Sequence, residues 1–155
     1  MLGVHLTADL NGCLPTRPAM VDVGALRDLC LAALSGAGLS AVAECFHAFG
    51  TASGVSTTIP SGVTGVVLLA ESHLAVHTWP EIGVVTLDVY VCNRSADNSA
   101  RAEQVIDALC AAFAPEHVER HRLRRGSTRG AGASLVATES PGEAAPAAIT
   151  RVPSA

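Results

Sequence analysis

Three apolar β-type runs follow one another between residues 65 and 92, with a block of reactive side chains set among them. Val66-Val67-Leu68-Leu69 precedes the block, and Val84-Val85-Thr86-Leu87-Asp88-Val89-Tyr90-Val91 follows it. The block itself, Ala70-Glu71-Ser72-His73-Leu74-Ala75-Val76-His77-Thr78-Trp79-Pro80-Glu81, gathers two carboxylates, a serine, two histidines and the only tryptophan. In the last run Val85, Leu87, Val89 and Val91 share one face, and Thr86, Asp88, Tyr90 and Cys92 share the other. Such alternation demands a sheet with one apolar face. Packing alone would fill the block with valines, so its reactive residues mark where chemistry is expected.

The rest of the chain supplies partners for that sheet. Residues 3–10 alternate Val4, Leu6 and Ala8 against His5, Thr7 and Asp9, reading as a strand that ends at the Asn11-Gly12 turn signal. Asp22 is placed to cap a helix running to about residue 35, with Leu26, Leu29, Ala33 and Leu34 near helical spacing and glycines as its stop. A strand is expected over 39–49 and a Gly/Ser/Thr-rich loop over 50–60. Strands at about 65–70, 73–78 and 84–92 lead to a helix over 99–113 and a last strand over 118–123. This order predicts an α+β protein: a two-layer α/β sandwich with a mainly antiparallel sheet and helices on one face.

One domain, residues 1–126, accounts for all of these elements. From 127 to 155 Gly, Ala, Ser, Thr and Pro dominate and periodicity stops, which reads as a disordered low-complexity tail. Arg120, Arg122, Arg124, Arg125 and Arg129 read as a solvated strand face and its exit rather than an anion patch.

A net charge of −4 argues against nucleic acid or an anionic membrane surface as partner. No apolar run approaches the roughly 20 residues that span a bilayer, and residues 1–10 lack a signal-peptide pattern. A cytoplasmic location is the expectation. The five cysteines are scattered without a C-x-x-C pair, which fits reduced thiols and no structural zinc. All ten basic residues are arginine. Without lysine the chain cannot hold pyridoxal phosphate as a Schiff base, so amine chemistry here needs another carbonyl electrophile.

Within the block several readings compete. His73 and His77 share a strand face about 13 Å apart at 3.3 Å per residue, too far for a common metal ion, and no metal is expected. Ser72 lacks the G-x-S-x-G elbow of many hydrolases. Cys92 falls on the polar face of its strand, unlike a filler thiol, although free cysteines are commonly buried as small apolar groups. Trp79 and Glu81, taken singly, read as a packing aromatic and a turn residue.

Taken together, Glu71-Ser72-His73, His77-Thr78-Trp79-Pro80-Glu81, Asp88 and Cys92 closely resemble the prokaryotic S-adenosylmethionine decarboxylase family. His5-Leu6-Thr7-Ala8-Asp9-Leu10, Phe46-His47-Ala48-Phe49 and Gly62-Val63-Thr64-Gly65-Val66 extend the resemblance over about residues 3–126. It implies a proenzyme that cuts itself between Glu71 and Ser72 and turns Ser72 into a pyruvoyl group. That carbonyl would form a Schiff base with the substrate amine during decarboxylation and serve as the electron sink, with neither pyridoxal phosphate nor metal.

By the same resemblance His77 accepts a proton in processing, Thr64 assists it with a hydroxyl, and Cys92 is the proton donor in decarboxylation. Phe49 stacks on adenine, Glu81 binds the ribose hydroxyls, and Trp79 shapes the pocket. The implied protein is a carboxy-lyase zymogen of spermidine biosynthesis, dimeric, with active sites at the dimer interface.

Two features strain the fit. Ser72 and His77, five apart, face opposite ways on an unbroken strand, so a bend or bulge is expected at Glu71-Ser72. The 50–60 loop is longer than in relatives. A pyruvoyl-dependent decarboxylase of arginine or ornithine is the alternative, and an unprocessed, non-enzymatic partner subunit is a third reading.

Overall fold

The computed structural model describes residues 3–49 and 61–126. The expected 50–60 loop, the 127–155 tail and Arg129 lie outside the described residues. Six strands are seen: β1 (Gly3–Asn11), β2 (Ala41–Ala48), β3 (Val63–Leu69), β4 (His73–Trp79), β5 (Val84–Cys92) and β6 (His117–Arg125). They form one sheet in the order β2-β3-β4-β5-β1-β6, with every described pairing antiparallel. Helices α1 (Pro18–Val21), α2 (Val23–Gly36) and α3 (Ser99–Phe113) are the helices among the described residues. The expected two-layer α+β sandwich is observed.

Alternation fixes the two faces of the sheet. Val4, Leu6, Ala8 and Leu10 of β1, Leu74 and Val76 of β4, and Val85, Leu87, Val89 and Val91 of β5 are buried under the helical layer, β1 and β5 against α3 and β4 against α1. Met20, Leu26, Leu34, Ile106, Leu109 and Phe113 meet them from the helices, each at 1% exposure or less. Each such side chain contributes about 1.5–3 kcal/mol on burial. The opposite face carries Thr64, His5, Thr7, His73, His77, Thr86, Asp88 and Tyr90, and no described element covers it.

Asp22 caps α2 as expected, its Oδ1 accepting from Ala25 N–H at 2.6 Å. The short α1 was not anticipated. Pro18 starts it, and its lone turn is too brief to show a 3.6-residue period. The arginines of β6 are exposed, as expected of a solvated strand face. Arg120 donates to Asp107 and Arg122 to Glu103, both at 2.6 Å, so these half-exposed side chains clamp the edge strand to α3.

No helix among the described residues is long and apolar enough to cross a membrane. All five cysteines are free, and burial pushes the Cys30 thiol up to about 12.

Candidate active site

Glu71 and Ser72 sit in the turn between β3 and β4. Ala70 and Glu71 form the tip, and Leu69 N–H donates to the Ser72 carbonyl at 2.9 Å. The register runs unbroken from Leu68–His73 to Thr64–His77. The expected bend is therefore a tight hairpin turn, and there is no bulge. The turn does not bring His77 to Ser72. Five extended residues still separate them by about 16 Å.

Ser72 is held at the end of the sheet by the neighbouring strand β5. Its Oγ accepts from the Cys92 backbone N–H at 3.0 Å, which leaves the hydroxyl proton free to be removed. The Cys92 carbonyl accepts from Asn98 Nδ2 at 2.9 Å, so the end of β5 is fixed from both sides. Asn98 is fixed in turn, its N–H donating to Asn93 Oδ1 at 2.9 Å. Ser99 N–H donates to Asp97 Oδ1 at 2.9 Å, and hydrogen bonding to Ser99 holds the Asp97 carboxyl below its usual range. These polar residues gave no sequence signal beyond a turn before a helix.

A cavity of about 700 Å³ opens beside Ser72, lined among others by Ser40, Glu71, Cys92, Arg94 and Arg101. Alternation puts Cys92 with Thr86, Asp88 and Tyr90, yet it is only 5% exposed while they are half-buried. Its thiol belongs to this sheltered end of β5 rather than to the open face at large.

A second hollow, about 530 Å³, lies across the same turn and is bordered by Glu71, Ser72, His73, Tyr90 and Arg125. Its His73 belongs to a cluster in which His5 Nε2 lies 2.7 Å and His73 Nε2 3.3 Å from Asp88 Oδ1. Tyr90 stacks on His73 with centroids 5.7 Å apart. His5, His73 and Asp88 have donor atoms within 4.8 Å of one another and are the described residues able to hold a metal ion together. The spacing of His73 and His77 could not reveal this trio, because it is assembled by cross-strand register: His5 pairs with Tyr90, and Asp88 with Ala75.

The remaining motif residues gather at the far end of β4. Thr64 Oγ1 and His77 Nδ1 are hydrogen-bonded at 2.8 Å, a contact dictated by their pairing across β3 and β4. Trp79 lies 5.9 Å from His77 and 6.3 Å from Phe49, centroid to centroid. Glu81 is exposed in the turn after Pro80.

The two glycines of the Gly-Val-Thr-Gly element make room here. A side chain on Gly62 would overlap the Thr78 carbonyl, and one on Gly65 the Phe46 ring. Thr78, fully buried, accepts from Val63 N–H and donates to the Met20 carbonyl, both at 2.8 Å. Nothing in the sequence pattern marks Thr78 for this role. Thus the motif divides into Glu71, Ser72 and Cys92 at one end, and Phe49, Thr64, His77, Trp79 and Glu81 at the other.

This geometry defines an antiparallel α+β sandwich with a serine-cysteine site at a hairpin tip and an aromatic-histidine site at the opposite end of the same strand. The sequence model of the family described as S-adenosylmethionine decarboxylase matches residues 4–126. The chain belongs to that family. It is 34% identical over 125 residues to an S-adenosylmethionine decarboxylase proenzyme of Pyrococcus furiosus, covering 81% of this chain and 79% of the relative. A proenzyme of the same name from Aquifex aeolicus is also 34% identical, over 81% of this chain and 82% of its own length. The crystal structure of the adenosylmethionine decarboxylase from Aquifex aeolicus superposes with a TM-score of 0.70 at 31% identity, over 86% of this chain and 98% of the other.

Proposed function

We propose that this chain is a self-cleaving proenzyme that decarboxylates S-adenosylmethionine with a pyruvoyl group made from Ser72. The observation that carries the reading is Ser72 itself: hydrogen-bonded to the Cys92 backbone at a hairpin tip and facing a cavity large enough for substrate. Family membership supplies the reaction class.

In processing, Ser72 Oγ attacks the Glu71 carbonyl carbon and converts the peptide bond to an ester. Loss of the Ser72 α-proton then expels the Glu71 carboxylate. The dehydroalanine that remains takes up water, releasing ammonia and leaving pyruvoyl at position 72. His77 is the proton acceptor, and the Thr64 hydroxyl bonded to it orients its ring.

The residues present fit such a group, since a lysine-free chain needs a carbonyl that it makes itself. When formed, the group supplies the electrophile and electron sink for loss of carbon dioxide. Cys92 then delivers a proton to the α-carbon. Phe49 and Trp79 offer a face for adenine, and Glu81 a carboxylate for the ribose hydroxyls. An arginine or ornithine substrate would use none of these three. Intact Ser72, His77 and Cys92 argue against a non-enzymatic subunit.

The separation of His77 from Ser72 supports a homodimer. Two copies packed by their open sheet faces would bring the His77 end of one protomer to the Ser72 end of its partner, completing two sites. Cys45, Val66, Leu68 and Leu123 supply apolar contacts on that face. The test is intact mass spectrometry followed by carbon dioxide release from S-adenosylmethionine, arginine and ornithine in parallel. Cleavage after Glu71 and activity on S-adenosylmethionine are expected. Turnover of arginine or ornithine alone would overturn the substrate.

A further inference from the structure

Cleavage at Glu71–Ser72 creates a new chain end at the lip of the cavity that substrate must enter. Glu71 acquires an α-carboxylate, ionised at neutral pH given its ordinary pKa of about 3.5. Released from the turn, Ala70 and Glu71 are free to fall across the new carbonyl unless something holds them. The charges around the cavity provide for that.

Before cleavage the cavity lining is cationic. Its charged residues are Arg94, Arg101 and Glu71. Arg94 Nη1 is 3.9 Å from Glu71 Oε1, and both side chains are more than half exposed, so the pair is loose and worth little. Arg101 Nη1 meets neutral acceptors, the Gly38 carbonyl at 3.5 Å and Asn98 Oδ1 at 3.3 Å. Two guanidiniums thus face one carboxylate.

The geometry points to Arg94 and Arg101 as the anchor for the C-terminus of the β chain, the 1–71 fragment that self-cleavage creates, a site for the Glu71 α-carboxylate. Cutting the bond brings the balance to two cations and two anions without moving a strand. This role rests on the cleavage proposed above.

The substrate argues against the alternative use of these arginines. S-adenosylmethionine carries a sulfonium, which bare guanidiniums repel. A guanidinium clamped on its carboxylate would stabilise the group that must leave as carbon dioxide, favouring the ground state over the transition state. Arginines neutralised by Glu71 do neither.

The experiment uses the processed full-length protein and a broad-specificity carboxypeptidase, following loss of Glu71 from the β chain by intact mass. Wild-type protein should resist trimming. Arg94→Ala with Arg101→Ala should lose Glu71 about two- to fivefold faster, as expected for losing exposed ion pairs, and Arg94→Lys should be intermediate. Ser72→Ala protein, uncut, should keep Glu71 throughout. Equal trimming of cleaved wild type and the double variant would overturn the anchor alone. A double variant with normal protection of Glu71 but a raised KM would assign the arginines to substrate instead and overturn it too. If wild-type protein yields no β chain, the cleavage fails and the anchor with it.

Discussion

Ser72 Oγ and the Cys92 backbone N–H are joined by a 3.0 Å hydrogen bond across the end of the sheet. The residue proposed to make the electrophile and the residue proposed to return the proton are thereby held together in the uncut chain. Ser72→Ala should give one uncut mass and, with the Cys92 N–H left without its acceptor, be about 1 kcal/mol less stable than an uncut chain that keeps Ser72. A Ser72→Ala protein that still separates into two chains would remove Ser72 from its role.

Cys92→Ala acts later in the sequence of events. The backbone bond to Ser72 survives the substitution, so cleavage should proceed. Carbon dioxide release should fall by about 10²–10⁴-fold, the usual contribution of a positioned acid. Turnover at the wild-type rate would exclude the thiol as donor.

The distance between Ser72 and His77 makes a sharper demand. Ser72→Ala and His77→Ala chains should each stay uncut alone. Co-expressed as mixed dimers, the His77→Ala chain should be cut by its partner's histidine while the Ser72→Ala chain is not. Two uncut chains in a verified mixed dimer would mean that both residues act within one protomer.

Thr78 ties β4 to both β3 and α1 through one buried hydroxyl. Thr78→Val keeps the shape but leaves the Val63 N–H and the Met20 carbonyl without that partner. Urea unfolding should show a loss of about 2 kcal/mol or more. A midpoint within error of wild type would show that the surroundings rearrange to satisfy them.

Asp97 gives the α3 end a pH dependence of known sign. Its folded carboxyl is held below the ordinary value of about 3.9 by hydrogen bonds to Ser99, so it stabilises the fold above that value. The contribution disappears as pH falls through the lower, folded value. Between wild type and Asp97→Ala, the stability gap should be constant near pH 6 and close as pH falls below the ordinary carboxylate range. A gap that widens on acidification would contradict the assignment.

Strand and helix positions were legible wherever the period was long and clean. β5 and α3 agree with expectation to the residue, because each carries uninterrupted alternation or helical spacing. The pairing of Thr64 with His77 follows once β3 and β4 are recognised as a hairpin. The His5–Asp88–His73 contact and the Asn98 support of Cys92 were not legible. The first joins strands about 80 residues apart at their extremes, and the second depends on how a loop returns to its own strand end.

By itself the sequence determined the sheet, its apolar face and the family, since periodicity and a dense motif are local properties of the chain. It also placed the reactive residues in one short block. Only the tertiary structure decided that this block is not one site. A hairpin tip takes Ser72 to one end of β4, and the rigid rise of an extended strand carries His77 to the other. The same folding drew in Arg94 and Arg101, which no motif had marked, beside the bond expected to break.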